Sequence, residues 1–336
     1  MAIFIFIILI FIPQFFYAIK KKENLNFSDF KSFSFDATED VRDGFIHVSF
    51  KSFDNFTLDC NLYEAEEPKA IVQIIHGALE HKERYIEMIN YLLKSGYSCF
   101  ISDNRGHGKS TSCDYPLGYF KNYNEVVMDN FLINEYLRNK YPGKEIYIFS
   151  HSLGSIFARI FLQDFDDKID KLVMSGPPYF NPLSYPVKFL VNIINFYFGE
   201  RRVALIFRFL YHDKKRSLSY SSYDEKNLYD IKKDDLMPSY FLNRGYASVI
   251  DANKDMHKKS RFKLKNPGLR ILVIAGDNDH YAGYEKKLNR TIRAMKRIGY
   301  KNIKKIIYKD MKHEIIHEKD RDKVFYDLVK FFDECM

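Results

Sequence analysis

The chain lacks tryptophan and has only four cysteines among its 336 residues. The cysteines show no CxxC pair and no histidine at metal-ligand spacing, which argues against a disulfide framework and against a zinc finger. We therefore expect buried free thiols at Cys60, Cys99, Cys113 and Cys335. No basic stripe with interleaved aromatic residues is present either, so nucleic acid is not an expected partner.

Apolar residues make up 46% of the chain and aromatic residues 17%. This composition is typical of a globular protein with a large core, in one large domain or two smaller ones. The formal net charge of +8 comes mostly from lysines scattered among acidic residues. That pattern favours a solvated, lysine-rich surface, with attraction to anionic lipid headgroups as the alternative.

The chain begins with an apolar segment. Residues 2–18 are interrupted only by Pro13 and Gln14, and three lysines follow at residues 20–22. The segment is short for a membrane-spanning helix, which needs about 20 apolar residues, and it lacks the preceding basic residues of a secretory signal. We interpret residues 1–19 as a membrane anchor or signal segment. The lysines favour a cytoplasmic location for the rest of the chain, with export after cleavage as the alternative.

Patterns typical of strands and helices alternate from residue 45 onward, after a predicted polar tether at residues 20–44. This alternation predicts an α/β fold in which helices cover both sides of a mostly parallel sheet. An apolar stretch followed by a lysine-rich one interrupts it at residues 178–260, which we interpret as a helical cap inserted between two strands. Residues 45–177 and 261–336 then form the two parts of one core. The predicted strands are residues 45–50, 56–63, 70–75, 97–102, 146–149, 171–174, 270–275 and 304–308.

Ser152 lies in the sequence Ser-His-Ser-Leu-Gly, where the fifth predicted strand is followed by a helix. A sharp turn in this place would lift the hydroxyl clear of the sheet and point the helix N-terminus at a developing oxyanion. The usual pattern G-x-S-x-G has glycine where this chain has Ser150, but that position requires only a small side chain. Ser152 is therefore a candidate nucleophile, and an ordinary strand-turn-helix is the alternative.

Small residues at His76-Gly77-Ala78 follow the third predicted strand. The backbone N–H of Ala78 could bind an oxyanion there, together with the N–H of Leu153, the residue after the candidate nucleophile. The next loop contains Lys109-Ser110 but lacks the spacing G-x-x-x-x-G-K-[ST] of a phosphate-binding loop. We therefore expect no bound nucleotide.

Acidic and histidine side chains follow the last two predicted strands. Asp277 and Asp279 come after the seventh strand, and His313 comes after the eighth. Because the carboxyl ends of parallel strands meet at one edge of a sheet, these side chains can converge on Ser152. The order Ser, Asp, His along the chain is that of α/β-hydrolases.

The same histidine belongs to a second pattern. Residues 313–317 match H-E-x-x-H, a zinc-binding sequence, and Glu334 could be sought as a third ligand. Both histidines of such a pair must lie on one face of a helix, whereas this match directly follows a strand and leaves only a short tail. We therefore predict no metal and interpret His317 as a surface or capping residue.

These motifs together resemble one branch of the α/β-hydrolases, the monoglyceride lipases and lysophospholipases of the serine aminopeptidase S33-like group. HGALEHKERY at residues 76–85 resembles the branch signature H-G-x-x-E-H-x-x-R-Y, and DNRGHGKS at residues 103–110 resembles D-x-R-G-H-G-x-S. SHSLGS at residues 150–155 resembles G-H-S-x-G-G, while GDND and KHEIIHE resemble the late acid and histidine motifs. The resemblance extends from about residue 45 to the C-terminus.

The resemblance implies Ser152 as nucleophile, His313 as general base and Asp279 as the orienting acid, with Asp277 as the alternative acid. It implies that the two N–H groups named above form the oxyanion hole. The expected reaction is hydrolysis of carboxylic esters of single-chain lipids, such as monoacylglycerols or lysophospholipids, through an acyl-enzyme and without a cofactor. The alternatives are acyl transfer, another esterase or peptidase activity, and a catalytically silent protein that binds lipid or protein.

Three further motif residues, Glu80, His81 and Arg105, are interpreted as structural. The apolar cap segment at residues 187–198 either packs against a second segment at residues 203–210 and the sheet, or lines an acyl tunnel above the candidate nucleophile. A tunnel would favour single-chain esters over acetyl esters and triacylglycerols.

Overall fold

The computed structural model describes residues 2–22, 35–203 and 218–334. Nine strands of this part of the chain form one sheet: β1 Asp36–Arg42, β2 Phe45–Lys51, β3 Thr57–Tyr63, β4 Ala70–Ile75, β5 Tyr97–Ser102, β6 Glu145–His151, β7 Lys171–Ser175, β8 Arg270–Gly276 and β9 Asn302–Tyr308. Their order is β1-β2-β3-β5-β4-β6-β7-β8-β9. The pairs from β1 to β3 and the pair β3 with β5 are antiparallel, and all others are parallel. The sheet confirms the predicted α/β fold.

Helices cover both faces of the sheet. Those in the described residues are α1 Ala2–Lys22, α2 Ile86–Lys94, α3 Tyr123–Lys140, α4 Leu153–Phe165, α5 Ser184–Phe198, α6 Glu225–Lys233, α7 Asn243–Asp255, α8 Tyr284–Ile298 and α9 Arg321–Asp333. In β4, Ile71 and Ile75 pack in the apolar cluster beneath α3, α4 and α8, whereas Val72 and Ile74 pack in the cluster beneath α2 and α9. Because both faces are buried, the strand is apolar without alternation.

The predicted tether at residues 20–44 is wrong for part of its length. Asp36–Arg42 forms β1, which pairs antiparallel with β2 at the edge of the sheet. Its side chains are almost all exposed, so this edge strand has no buried face and shows no hydrophobic alternation that a sequence pattern could reveal. The lysines at residues 20–22 belong to the end of α1. Residues 23–34 lie outside the described part of the chain.

The predicted cap lies between β7 and β8, where the chain forms α5, α6 and α7. Val191 and Ile194 of α5 are buried in the main apolar cluster, while Phe189 and Phe196 make edge-on ring contacts with α1. Part of the apolar surface of α5 is therefore covered by α1. An acyl tunnel lined by α5 stays a prediction. Of the second segment, at residues 203–210, only Val203 is described.

Helix α1 packs against α5. None of the helices in the described ranges is both long enough and apolar enough to span a membrane. The roles of residues 1–19 as an anchor or a signal remain predictions.

Two of the cysteines are buried free thiols, as predicted: Cys60 on β3 and Cys99 on β5. Burial raises the pKa of both thiols. The prediction is wrong for Cys113, which lies in the loop before α3 and is exposed, because that loop runs over the surface. Cys335 lies outside the described residues.

Arg105 lies in the loop after β5 and is completely buried. Its guanidinium donates twice to the Asp129 carboxylate of α3, at 2.7 Å each, and twice to Asp54, at 2.8 and 3.2 Å. Burial acts to lower the pKa of Arg105, but the charges and hydrogen bonds of the surrounding carboxylates, chiefly Asp129, together raise that pKa. The contacts join the β2–β3 turn, the β5 loop and α3, which supports the structural interpretation of this residue.

We expect Arg105→Met to destabilise the protein by roughly 3–5 kcal/mol, because it leaves a buried carboxylate without its partner. Urea unfolding measures the change. Arg42→Met is the matched control, since Arg42 pairs with Asp40 while about half of its side chain, 49%, is exposed, and such pairs contribute about 1 kcal/mol or less. An equal loss in both variants would contradict the structural role of Arg105.

Candidate active site

Ser152 occupies a sharp turn between β6 and α4. Its φ of 48° and ψ of −118° are unusual for a residue with a side chain, and such strain is typical of a serine held at a strand-to-helix turn. The turn is fixed by the Ser152 N–H, which donates to the Ser175 carbonyl at 2.9 Å. A Cβ on Gly154 would lie 2.2 Å from the Ile75 carbonyl oxygen. Glycine is therefore required there for α4 to pack against the end of β4.

The two serines that replace glycines of the family pattern fit this turn. The Ser150 hydroxyl donates to the Val173 carbonyl of β7 at 2.9 Å. The Ser155 hydroxyl donates to the Ser152 carbonyl at 2.6 Å. Both side chains are small and buried with their polar groups satisfied, so the departures from glycine do not disturb the turn.

The structure brings Ser152, His313 and Asp279 together in one line of hydrogen bonds. Nε2 of His313 lies 2.8 Å from the Ser152 hydroxyl, and Nδ1 lies 3.0 Å from both carboxylate oxygens of Asp279. Since a carboxylate only accepts, the ring carries its proton on Nδ1, and Nε2 accepts from the hydroxyl. A Cβ on Gly176 would lie 2.8 Å from Nδ1, so the glycine after β7 leaves room for the histidine.

The second candidate acid, Asp277, is placed differently. Its Oδ1 accepts from the Asn278 amide at 2.9 Å, and the residue is partly exposed. Asp279 is fully buried and also accepts from the Ala282 N–H at 2.8 Å. Of the two carboxylates, the structure places that of Asp279 against His313.

Burial and charge act in opposite directions on this pair. Burial disfavours the imidazolium form of His313, but the charge and hydrogen bond of Asp279 outweigh it and hold the pKa of His313 above its ordinary value. Burial would raise the pKa of Asp279, but His313 and the Ala282 N–H lower it. The pair therefore stabilises a proton on the imidazole next to an ionised carboxylate.

The two predicted oxyanion donors lie beside Ser152. A Cβ on Gly77 would come within 3.1 Å of the Ser152 Cβ, and Ala78 follows it as an exposed residue. Leu153 is the first residue of α4, so its N–H has no acceptor within the helix. Both residues thus lie close to the candidate nucleophile, and their role as oxyanion donors stays a prediction.

His76 holds this loop in place. Its Nε2 accepts from the Asn104 N–H at 2.8 Å, so Nδ1 carries the proton and donates to the Gly77 carbonyl at 2.8 Å. Burial, together with the nearby His107, lowers the pKa of His76 well below its ordinary value. The ring is therefore a neutral structural bridge between the loops after β4 and β5.

A buried ionic network, partly missed by sequence reasoning, connects the two loops of the site. Glu80 accepts from the Gly77 N–H, and Arg84 links Glu80 at 3.3 Å to Glu314 at 2.6 Å. Glu314 directly follows His313 and also accepts from Asn227 of the cap helix α6 at 2.9 Å. Arg84 and Glu314 had a signal in the sequence, because each lies inside a recognised motif.

His81 also contacts the cap, since its Nε2 lies 2.7 Å from the Asp234 carboxylate. This contact and the network above tie the cap segment around α6 to the loop that follows β4.

The H-E-x-x-H match does not form the helix that a zinc pair requires. Residues Ile315–His317 form a single 3₁₀ turn, and both ring nitrogens of His313 are engaged by Ser152 and Asp279. Within the described residues, no three histidine, cysteine, aspartate or glutamate side chains are placed to hold a metal ion. His317, interpreted from sequence as a surface or capping residue, is half-buried at the last position of this turn, with its ring centroid 6.4 Å from that of Tyr85.

The strand order and the turn that carries Ser152 define an α/β-hydrolase fold. The family model described as serine aminopeptidase, S33, matches residues 66–320. The chain therefore belongs to this family, which confirms the resemblance seen in its motifs.

Similar proteins include a monoglyceride lipase homolog of monkeypox virus, 27% identical over 127 residues, covering 38% of this chain and 45% of that protein. A probable lysophospholipase L2 of Haemophilus influenzae is 26% identical over 140 residues, covering 40% of this chain and 44% of that protein. Each alignment spans less than half of the relative. A carboxyl esterase from Bacillus coagulans superposes with a TM-score of 0.74 at 19% identity, covering 90% of this chain and 99% of that one, so the two share their fold.

We expect the Asp279→Asn substitution to move the pKa of His313 from above the ordinary histidine value to below it. Without the carboxylate, burial outweighs the smaller raising effects of Glu314 and Glu80 on the pKa of the ring and favours its neutral form. An NMR titration of ring-labelled histidines measures the change, with His313→Gln to assign the signal. Asp277→Asn is the control and should leave the titration unaltered. An unaltered titration in Asp279→Asn would contradict the electrostatic account.

Proposed function

We propose that the protein is a serine hydrolase that cleaves carboxylic esters of single-chain lipids. The observation that carries the proposal is the line of hydrogen bonds from Ser152 through His313 to Asp279. This line ends at the N-terminus of α4, where a developing negative charge is stabilised by the helix dipole. A nucleophile, a base and an acid in this arrangement are suited to acyl transfer.

His313 takes the hydroxyl proton through Nε2 as Ser152 Oγ attacks the ester carbonyl. The N–H groups of Ala78 and Leu153 bind the resulting oxyanion, and Asp279 stabilises the imidazolium. His313 then gives the proton to the leaving alcohol, and the acyl group remains on Ser152. Water, activated by the same histidine, attacks the acyl-enzyme and releases the fatty acid. Every proton is carried by the one imidazole.

The substrate class is supported by two similarities. The curated relatives are named as a monoglyceride lipase homolog and as a probable lysophospholipase, and both names refer to esters that carry a single acyl chain. These two names support a lipid ester over a small polar ester as the substrate.

We expect Ser152→Ala, His313→Ala and Asp279→Asn each to lower esterase turnover by about three orders of magnitude or more, with losses that are not additive. Each removes one member of a unit that acts together. The matched control is Asp277→Asn, which changes a nearby carboxylate outside the line and should retain turnover. Retained turnover in Asp279→Asn, together with its loss in Asp277→Asn, would assign the acid to Asp277.

We also expect kcat/KM to rise with acyl length across acetyl to palmitoyl esters of one alcohol. Each buried methylene contributes up to about 0.8 kcal/mol, and the contact persists in the transition state. Steady-state rates across the series test this, with Ser152→Ala as the background control. A flat or falling series, or preferred cleavage of peptide amides, would refute the lipid assignment while leaving the serine mechanism intact.

A further inference from the structure

Helix α1 is attached to the cap by the two residues that interrupt its apolar sequence. Pro13 has no N–H, so the Leu9 carbonyl, one turn earlier, loses its helical donor. The Tyr197 hydroxyl of α5 donates to that carbonyl at 2.7 Å. Gln14 donates to one backbone carbonyl of α5 and accepts from one side-chain amide of α5, both at 2.9 Å. Pro13 and Gln14, which interrupt the apolar sequence of α1, thus both contribute to its contact with α5.

The outer surface of these two helices is apolar and exposed. Of the twenty exposed large hydrophobic side chains in the described residues, seven lie on α1 and seven between Leu183 and Phe198. Phe15 and Phe198 have the highest exposure of the fourteen, 71% and 63%. We call the exposed side chains of residues 8–19 and 183–198 the α1–α5 face. Exposed apolar side chains concentrated on two helices in contact mark an interaction site.

A basic cavity of about 300 Å³ lies beside this face, between α1, α5 and α7. Four cationic side chains line it, Lys121, Lys188, Arg244 and Lys254, and Asp251 is the single carboxylate among its described lining residues. Lys188 pairs with Asp251 at 2.6 Å. Glu200 interacts with Tyr17 at the edge of the cavity. Its charge lowers the net positive charge around the cavity but does not neutralise it. The cavity is therefore suited to an anion.

We propose that the α1–α5 face and the basic cavity form a docking site for a bilayer containing anionic phospholipid. The apolar side chains enter the boundary between headgroups and acyl chains, and the cavity binds a lipid phosphate. Helix α1 adds three lysines at its end and carries no acidic residue. A second copy would bring the same positive charge against itself, which disfavours self-association through this face.

The site is separate from Ser152 and does not depend on the proposed catalytic steps. It would make the cap, rather than the sheet, the part of the protein that meets the membrane. A substrate dissolved in the bilayer would then reach the protein on its cap side. The proposal can fail while the serine mechanism stands, and the reverse also holds.

The first experiment tests the cavity by flotation of the full chain with vesicles. Phosphatidylcholine vesicles are compared with vesicles of phosphatidylcholine and phosphatidylglycerol in equal parts. We expect the double substitution Lys121→Gln with Lys254→Gln to weaken binding to the anionic vesicles about fivefold for each charge removed, with binding to neutral vesicles unaltered. The control, Lys301→Gln with Lys304→Gln, removes the same charge at exposed positions around the start of β9.

Two results would overturn the headgroup site. One is an equal loss in the cavity variant and its control, which would mean that only the net charge matters. The other is equal binding of the unaltered protein to neutral and anionic vesicles. Turnover of a water-soluble acetyl ester should be the same in both double variants, and Ser152→Ala should bind vesicles like the unaltered protein. Loss of turnover with intact vesicle binding would therefore count against the proposed function alone.

The second experiment tests the apolar face. Phe15→Ser with Ile19→Ser should weaken binding to both kinds of vesicle, because both side chains are exposed on α1, at 71% and 49%. The control is Val41→Ser with Tyr326→Ser, which alters side chains that are 79% and 61% exposed elsewhere and should bind normally. Equal effects of the two pairs would overturn the proposal. So would light scattering that shows a dimer dissociated only by the α1 pair, or a mature protein that begins beyond α1.

Discussion

The buried charge of Asp279 is the interaction on which the candidate site depends. An ionised carboxylate in the interior is costly unless it is paired and hydrogen-bonded. Here it is fully buried and meets Nδ1 of His313 at 3.0 Å and the Ala282 N–H at 2.8 Å. This partnership fixes the orientation and tautomer of the ring, and so directs Nε2 at Ser152. Close approach is possible because Gly176 leaves no side chain beside His313.

A second constraint links the loops around this charge. Arg84 connects Glu80, at the loop after β4, with Glu314, at the loop after β9. Burial would raise the pKa of Glu314, but Arg84 lowers it to about 2, so Glu314 stays ionised. Asn227 of α6 donates to the same carboxylate. One set of contacts therefore holds the cap, the loop after β4 and the loop after β9 in their relative positions.

The parts of the fold that could be predicted from sequence are those with a strong local signal. The strands from β4 to β9 alternate with helices, and those from β4 to β8 are almost wholly buried, which makes them easy to recognise. Strand β1 has no such signal, because its side chains are almost all exposed at the edge of the sheet. Ser152, His313 and the two candidate acids could be located because their loops leave the same edge of a parallel sheet. The family resemblance favoured Asp279 over Asp277, and the structure buries the Asp279 carboxylate against His313.

Contacts between segments that lie far apart along the chain could not be predicted from the sequence. Arg84 and Glu314 are 230 residues apart along the chain, so neither could indicate the other as its partner. Pro13 and Gln14 interrupt an apolar segment of the sequence. Pro13 leaves the Leu9 carbonyl without a helical donor, and that carbonyl accepts from Tyr197 of α5. Gln14 donates to the Phe189 carbonyl of α5, 175 residues further along the chain. In both cases the sequence shows the residues, but only the fold shows which residues they contact.

Reaction with a fluorophosphonate probe measures whether Ser152 is an activated nucleophile. Peptide mass spectrometry of the labelled protein locates the modified residue. We expect a label on Ser152 that disappears in Ser152→Ala, falls strongly in His313→Ala and persists in Asp277→Asn. If the folded, unaltered protein takes up no label, or takes it up at another residue, Ser152 is not the activated nucleophile.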